Sequence, residues 1–285
     1  MKIGITGASG QLGRLIVEEL KKKTDASSLV ALVRTPEKAA GLGVEVRAFD
    51  YSQPKGLVEA LKGIDVLMLV SGNEMGKRFE QHSHVIEAAK TAGVKWIVYS
   101  SLLKANSSSL LLLSGEHLAT EEALQQSGLP YTILRNGWYY ENFSNSIMGA
   151  VAHNIIMGSA GDGRISAATR LDFAKAAANV LTSSGHEDKT YELAGDNSFS
   201  MSELAVELAK QSGKAVEYKN MPKEDYADAL VSMGVDPGYA QFFAAADVSI
   251  SKGDLQEDGR QLSKLMGEPT TSLSSAVAAI LAQAQ

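Results

Sequence analysis

Hydrophobic and polar positions in the first half of the chain follow two alternating patterns. Apolar residues recur at helical spacing in some segments, as at Leu12, Leu15, Ile16 and Leu20, and these predict helices at residues 12–22, 54–62, 84–92 and 116–126. Between them, short apolar runs predict β-strands at residues 3–5, 29–33, 44–49, 65–70, 96–99 and 131–134. The run at 65–70 is apolar at almost every position, as expected for a parallel strand covered on both faces. The pattern predicts an α/β fold with a doubly wound parallel sheet.

The second half of the chain is less regular. Helices are predicted at residues 147–152, 172–181, 201–211, 224–233 and 273–282, and strands at 190–193 and 216–218. Ser200 and Glu203 are spaced as a capping box, and Asp172 is expected to cap its helix. Because no linker or repeat interrupts the chain, we predict one domain over 1–285. Residues 1–135 would form its core, and residues 136–285 a smaller, irregular α/β lobe that is interleaved with the core and holds the substrate.

Composition excludes several classes of function. The formal net charge is −6 and no stripe of basic residues occurs, so nucleic-acid binding is not expected. The chain has no cysteine, which excludes disulfides, thiolate catalysis and cysteine-ligated metals. Neither a signal peptide pattern nor an apolar run of the roughly 20 residues that span a bilayer is present. We therefore expect a cytoplasmic protein with no membrane insertion.

Three glycines mark the junction between the first strand and the first helix. The junction reads Thr6-Gly7-Ala8-Ser9-Gly10-Gln11-Leu12-Gly13. In a dinucleotide-binding βαβ unit of the Rossmann type, the first glycine allows the tight turn, the second lets the backbone approach a pyrophosphate, and the third lets the helix pack close to the strand. The helix N-terminus then offers unpaired N–H groups to the phosphates. The alternative interpretation is a structural turn that binds no ligand.

Residues at the ends of the next strands indicate which dinucleotide is bound. Arg34 ends the second strand, where a 2′-hydroxyl-reading acid is expected for NAD. Its planar guanidinium suits the 2′-phosphate of NADPH, and Lys38 could add charge. Asp50, Ser71 and Gly72 end the third and fourth strands and are predicted beside the cofactor. We predict a preference for NADPH over NADH; the alternatives are a surface role for Arg34 and a turn-capping role for Asp50.

An acid–base pair common in this fold class is missing. Short-chain dehydrogenases usually carry Tyr-x-x-x-Lys after the fifth strand, and the segment that follows the fifth strand of this chain contains no such pair. His117 and Glu121 lie four residues apart on one helix face and could form a proton relay, or equally a structural contact. Ser100 and Ser101 end the fifth strand and could meet the nicotinamide or the substrate, or simply cap the strand. The catalytic residue is therefore left unassigned, with His117 and Ser100 as candidates.

The missing acid bears on the reaction. Reduction of an ordinary ketone forms an alkoxide that needs a nearby acid. Reduction of a quinone forms a delocalised anion that is far less basic, so hydride transfer depends on positioning more than on proton donation. The sequence is equally consistent with a protein that binds the nucleotide and catalyses nothing.

Several segments together resemble one family. They are the glycine turn within residues 5–13, Ala-Leu-Val-Arg at 31–34, Leu-Arg-Asn-Gly-Trp-Tyr at 134–139, Tyr-Glu-Leu-Ala-Gly at 191–195 and Leu-Ser-Lys-Leu-Met-Gly at 262–267. Through nearly its whole length the chain resembles the NmrA-like group of atypical short-chain dehydrogenases, and within it the quinone-reducing members. The resemblance implies NADPH-dependent two-electron reduction of a small-molecule quinone by direct hydride transfer, with neither flavin nor metal.

The same resemblance implies positions for the ligands. It places the pyrophosphate on Gly7 to Leu12 and the 2′-phosphate on Arg34. It places a substrate pocket on residues after the sixth strand and at the start of a later helix, namely Asn136, Trp138, Tyr139, Tyr140, Asn142, Phe143 and Arg170. The aromatic members suit a flat ring, or alternatively form a core patch that joins the two lobes. Gln11 and Asn142 are candidates to hydrogen-bond the quinone oxygens.

Two other functions remain open on sequence grounds. Some NmrA-like proteins are NADP(H)-binding, redox-sensing regulators without catalytic turnover, and fold alone does not decide between regulator and enzyme. A regulator needs no open aromatic cleft beside the nicotinamide. An epimerase or ketone reductase of the same fold is disfavoured, because the Tyr-x-x-x-Lys pair is missing.

Overall fold

The structure is a computed structural model that describes residues 1–109 and 111–283. The strands in these ranges are β1 (Ile3–Thr6), β2 (Leu29–Val33), β3 (Glu45–Ala48), β4 (Val66–Leu69), β5 (Trp96–Leu102), β6 (Tyr131–Asn136), β7 (Ile155–Gly158), β8 (Arg164–Ile165), β9 (Lys189–Leu193), β10 (Phe199–Ser200) and β11 (Glu217–Asn220). Seven of them form one sheet in the order β3-β2-β1-β4-β5-β6-β9, and every pair in it is parallel. The predicted fold class is confirmed.

Helices connect and cover these strands. They are α1 (Gln11–Lys21), α2 (Leu57–Ala60), α3 (Arg78–Ala92), α4 (Leu111–Gln126), α5 (Ser144–His153), α6 (Arg170–Thr182), α7 (Met201–Ser212), α8 (Lys223–Ser232), α9 (Pro237–Ser251), α10 (Gln261–Met266) and α11 (Leu273–Ala282). Short 3₁₀ helices lie at Ala26–Ser28, Pro36–Leu42 and Tyr140–Phe143. The capping box predicted at the start of α7 is present, and Asp172 caps α6 as part of a second capping box with Thr169.

Alternation of side chains along each strand places two cores on opposite faces of the sheet. On β4, Val66 and Met68 join the core beneath α1 and α6. Leu67 and Leu69 join the core on the other face, beneath α2, α3 and α4. The strand order reverses between β1 and β4, and this reversal opens a crevice at the carboxyl ends of the strands, where ligands of such sheets bind.

The second half of the chain both completes the main sheet and builds a separate core. β9 pairs with β6 in the main sheet. β7 and β11 form a parallel pair, β8 and β10 an antiparallel pair, and α5, α7 and α11 pack around a third core that includes Phe143, Phe199 and Leu208. The boundary between a core at 1–135 and a lobe at 136–285 stays a prediction.

Four helices depart clearly from the predicted elements. α4 begins at Leu111, five residues before the predicted start at 116, and α10 was not predicted. α3 begins at Arg78, six residues before the predicted start at 84, because its first turns bury Arg78, Gln81 and His82 instead of apolar residues. α9 was not predicted, although Asp236 caps it by accepting from the N–H groups of Gly238 and Tyr239 and proline follows at its first position.

Asp247 makes stability dependent on pH. Its carboxylate on α9 accepts a 2.7 Å hydrogen bond from the Ser159 N–H, and burial raises the pKa of Asp247 to about 6. The folded state therefore favours the protonated form, and stability is lost as the pH rises from the unfolded pKa through about 6. In Asp247→Asn, an amide oxygen can still accept from Ser159 without carrying a charge. The free energy of unfolding would be measured for both proteins by urea titration at pH 4.5 and pH 7.5. We expect the value for Asp247→Asn minus the value for wild type to be more positive at pH 7.5 by about 1 to 3 kcal/mol. A difference that is the same at both pH values would contradict this.

Candidate functional site

The turn between β1 and α1 has the backbone geometry that its glycines predict. Gly7 has a φ of +58°, in the left-handed region that glycine occupies without strain. The Gly10 N–H donates to the Gly7 carbonyl at 2.9 Å, which closes the turn. A Cβ on Gly13 would lie 2.3 Å from the Gly7 carbonyl oxygen, so α1 packs on the turn with no space for a side chain.

The N-terminus of α1 is free to bind an anion. Gly10 is the N-cap and supplies no side-chain acceptor, and the first turn contains no acidic residue. The helix therefore presents its first N–H groups and the positive end of its dipole to the crevice. Thr6 and Ala8, which were also predicted to contact the cofactor, are fully buried and do not line the crevice.

A cleft of about 590 Å³ runs from this turn along the carboxyl edge of the sheet. Its volume lies within the range of small-molecule and cofactor sites. The structure brings together on its wall ten of the twelve predicted cofactor residues, which are Gly7, Ser9, Gly10, Gln11, Leu12, Gly13, Arg34, Asp50, Ser71 and Gly72. Two predicted substrate residues, Tyr139 and Arg170, lie on the same wall.

The end of the cleft beside β2 carries two cations. The Arg34 side chain is 70% exposed and its Nη1 lies 3.2 Å from Oε1 of Glu74. Lys38 lies on the same wall, and its backbone carbonyl accepts from Nη2 of Arg14 at 3.0 Å. An exposed guanidinium with a second cation beside it fits the 2′-phosphate of NADPH.

Backbone atoms that follow β4 are fixed from behind by three side chains. The Ser71 N–H donates to Oγ of Ser100 at 2.9 Å. The Gly72 N–H donates to Nε2 of His82 at 2.9 Å, and the Gly72 carbonyl accepts from Nε of Arg78 at 2.7 Å. Ser100, a candidate catalytic residue, therefore positions the cleft wall and does not itself line the cleft.

Burial determines the protonation state of His82, one of the side chains that hold the Ser71–Gly72 backbone. It lowers the pKa of His82 to about 3, with the Arg78 charge as a smaller cause, so the imidazole is neutral at physiological pH. Because Nε2 accepts from Gly72, Nδ1 carries the proton and donates to Oγ1 of Thr120 at 3.0 Å. Arg78 in turn forms a 2.6 Å ion pair with Glu116. Sequence reasoning missed His82 and Arg78, because polar residues in a helix without apolar periodicity give no signal.

The other candidate catalytic group also lies away from the cleft wall. His117 is buried, its Nδ1 hydrogen-bonds the Tyr99 hydroxyl at 2.6 Å, and burial holds its pKa well below the usual value. Glu121 does not pair with His117; it pairs with Arg135 at 2.7 Å and accepts from Oγ of Ser101. The possible His117–Glu121 relay is therefore not formed, and each of the two buried side chains has its own polar partners.

The far end of the cleft combines an aromatic ring with a cation. The Arg170 guanidinium carbon lies 4.4 Å from the centroid of the Tyr139 ring, and its Nη2 donates to Oδ1 of Asn142 at 3.1 Å. Asn136 lies behind them and donates from Nδ2 to the Tyr139 hydroxyl at 3.4 Å. Its Oδ1 is buried and has no hydrogen-bond partner within the described parts of the chain, and Asn136 itself does not line the cleft.

Three predicted substrate residues need a different interpretation. Tyr140 and Phe143 are 4% and 7% exposed, and both rings pack against Phe199, with the Tyr140 ring stacked at 5.6 Å. Trp138 packs at the margin of the same core. These three side chains pack in the core of the second half of the chain, and that core contains no described residue from 1–135, so they do not form a patch that joins the two lobes. A 3₁₀ turn over residues 140–143 points Tyr140 and Phe143 into the second lobe, while Tyr139 lines the cleft.

Several residues of the cleft wall were not predicted as site residues, and Tyr51 is one of them. The Tyr51 hydroxyl contacts the Thr6 hydroxyl and donates to the Val70 carbonyl at 2.8 Å. It thereby connects the segment after β3 to the ends of β1 and β4. Burial raises the pKa of Tyr51, so the hydroxyl remains protonated.

Comparisons with known proteins agree with this geometry. A family of NAD(P)H-binding proteins matches residues 7–184. Quinone oxidoreductase 2 of Escherichia coli is 50% identical over 278 residues, 96% of this chain and 97% of that protein. The crystal structure of NADPH-dependent quinone oxidoreductase QOR2 from Escherichia coli, complexed with NADPH, aligns with a TM-score of 0.96 over 98% of this chain and 99% of that chain, at 50% identity.

Two more distant proteins are also similar. The triphenylmethane reductase of Citrobacter sp., in its crystal structure with NADP(H), is 39% identical and aligns with a TM-score of 0.94 over 98% of this chain and 100% of that chain. An NmrA-like family domain-containing oxidoreductase of Aspergillus flavus is 30% identical over 80% of this chain and 77% of its own length. The resemblance to NmrA-like proteins is confirmed.

The described residues contain neither a metal-binding cluster nor a helix suited to span a membrane. No group of three or more histidine, aspartate and glutamate side chains within 1–109 and 111–283 could hold a metal ion. None of the helices in these ranges combines the length and apolar character needed to cross a bilayer.

Gly13→Ala tests the close packing of α1 on the turn. The added Cβ would overlap backbone atoms of Gly7 and Ala8, which cannot move as a flexible side chain would. We expect at least about a tenfold loss of NADPH affinity by isothermal titration calorimetry, together with a lower melting temperature. Gly41→Ala is the matched control, because a Cβ there meets no atom within 4 Å. Equal NADPH affinity in both variants would refute this account of the turn.

Proposed function

Because the chain belongs to the NAD(P)H-binding family, we propose that it is an enzyme that reduces quinones with NADPH, by direct hydride transfer and without a flavin. One observation carries the proposal. A single cleft joins a glycine turn and a cationic wall at one end to the Tyr139–Arg170 pair at the other. A dinucleotide that extends along this wall would bring its nicotinamide towards the aromatic end.

The residues at the first end fit NADPH. The first N–H groups of α1 would bind the pyrophosphate, and Arg34 and Lys38 would bind the 2′-phosphate. The Ser71–Gly72 backbone, held by Ser100, His82 and Arg78, would provide a rigid wall beside the nicotinamide ribose. NADPH, when bound, supplies the hydride.

The residues at the second end fit a flat, electron-poor ring. Tyr139 offers an aromatic surface, and the Arg170 guanidinium beside it is placed to stabilise negative charge on a quinone oxygen. Asn142 and Gln11 stay candidates for hydrogen bonds to the quinone. Gln11 lines the cleft, and the exposed Asn142 is held by Arg170.

Proton supply is a minor requirement in this reaction. Burial raises the pKa of Tyr139, so its hydroxyl is protonated at neutral pH. The residues that line the cleft in the described ranges include no histidine. Because a hydroquinone anion is delocalised and weakly basic, binding and orientation of the two rings account for most of the catalysis. We place this reaction in the cytoplasm.

A redox-sensing regulator without turnover is the less favoured alternative. It would need the nucleotide end of the cleft, but it would have no use for an open aromatic end carrying a cation. The similarity to the Escherichia coli quinone oxidoreductase over nearly the full length of both chains also supports the enzyme.

Quinone-dependent oxidation of NADPH tests the proposed reaction. We expect purified protein to consume NADPH, followed by its near-ultraviolet absorbance, only when a benzoquinone or naphthoquinone is added, and without added flavin. The rate above the uncatalysed reaction should scale with protein concentration. Arg170→Ala should lower kcat/KM for the quinone by about 10- to 100-fold, because an interaction with developing charge is lost. If wild-type protein at micromolar concentration adds nothing to the uncatalysed rate, the enzyme assignment is wrong.

Arg34→Ala tests the cofactor preference. The variant should lose about 10- to 100-fold in kcat/KM for NADPH through a higher KM, while its kcat/KM for NADH changes little, because NADH lacks the 2′-phosphate. Lys62→Ala is the control, since Lys62 is also an exposed cation paired with a glutamate and lies outside the cleft. An unchanged NADPH to NADH ratio in Arg34→Ala would rule out the role given to this residue.

A further inference from the structure

Arg34 is already paired with an acid inside the cleft. Its Nη1 lies 3.2 Å from Oε1 of Glu74, which belongs to the segment between β4 and α3. The two residues are 40 positions apart in the chain, and both line the same cleft. The pair therefore joins two walls of the nucleotide site.

Glu74 is held in this position from a second side. Its other carboxylate oxygen, Oε2, accepts from Nε2 of Gln81 on α3 at 3.1 Å. Gln81 is 6% exposed and also lines the cleft. Because one oxygen faces Arg34 and the other faces Gln81, the carboxylate is fixed at the cationic end of the cleft, beside the guanidinium that would take the 2′-phosphate.

We propose that Glu74 is an internal competitor for the 2′-phosphate and thereby a determinant of cofactor specificity. A phosphate that binds Arg34 must displace the Glu74 carboxylate or remain beside it, and two anions at that distance repel each other. A nucleotide without the 2′-phosphate leaves the Arg34–Glu74 pair intact. Glu74 thus weakens the binding of NADPH and NADP⁺ and leaves NADH and NAD⁺ nearly unaffected. This inference rests on the 2′-phosphate site of the proposed function.

The expected effect is moderate. An exposed ion pair changes an equilibrium constant by up to about fivefold, and loss of the repulsion between carboxylate and phosphate adds to this. Removing the charge of Glu74 should therefore strengthen 2′-phosphate binding by about 3- to 10-fold at low salt, and by less at high salt, where charges are screened.

Two nucleotide fragments isolate this end of the site. Dissociation constants of 2′,5′-ADP and 5′-AMP would be measured by isothermal titration calorimetry with the full-length wild type, Glu74→Gln and Glu80→Gln. Glu74→Gln keeps an oxygen that can accept from Gln81 and removes the charge. We expect it to bind 2′,5′-ADP about 3- to 10-fold more tightly than wild type and 5′-AMP within about twofold. Glu80→Gln makes the same change of net charge at an exposed position outside the cleft and should leave both constants within about twofold.

Three results would overturn the proposal. Unchanged 2′,5′-ADP affinity in Glu74→Gln would show that the Arg34–Glu74 pair is a surface contact without effect on phosphate binding. Weaker binding of both fragments, with an unchanged melting temperature, would make Glu74 a ligand of the adenosine ribose instead of a competitor. Equal wild-type affinities for both fragments would show that the protein has no binding site for the 2′-phosphate. A failure of quinone turnover does not alter these binding constants, so the two proposals can fail separately.

Discussion

The contact between Gly13 and the Gly7 carbonyl is the constraint on which the nucleotide site depends. A side chain at position 13 would overlap backbone atoms, and only without it does α1 lie close enough to the end of β1 to direct its N–H groups into the crevice. Gly7 in the left-handed region and the Gly10 to Gly7 hydrogen bond maintain the turn that makes this approach possible. The crevice in turn exists because the strand order reverses between β1 and β4.

Buried polar side chains then fix the opposite wall. Gly72 has its N–H and its carbonyl engaged by His82 and Arg78, and both of those residues belong to the first turns of α3. Arg78 is buried with Glu116, so removing either partner would leave a buried charge uncompensated. Such a wall keeps its shape without a bound ligand, which is the preorganisation that hydride transfer between two stacked rings requires.

Sequence reasoning succeeded where one local pattern carries the information. The parallel sheet follows from apolar runs alternating with helical periods, and the turn at Gly7 to Gly13 follows from glycine spacing at a strand–helix junction. It failed where tertiary contacts decide the role of a side chain. Ser100 and His117 have chemistry suited to catalysis, yet their partners are the Ser71 backbone and the Tyr99 hydroxyl. Tyr139 and Tyr140 are adjacent in sequence, but one faces the cleft and the other enters the second core, which periodicity over so short a 3₁₀ turn does not indicate.

In the proposed reaction, one cleft aligns NADPH with a quinone so that a hydride passes directly between them. Single-turnover oxidation of protein-bound NADPH, with and without deuterium at either C4 position, measures this step in isolation. We expect oxidation to begin only on mixing with quinone and its rate to saturate with quinone concentration. Deuterium at one of the two C4 positions should slow oxidation by about 2- to 5-fold, because the protein holds a single face of the ring towards the acceptor. Oxidation of bound NADPH that is no faster than that of free NADPH would contradict direct hydride transfer in the cleft.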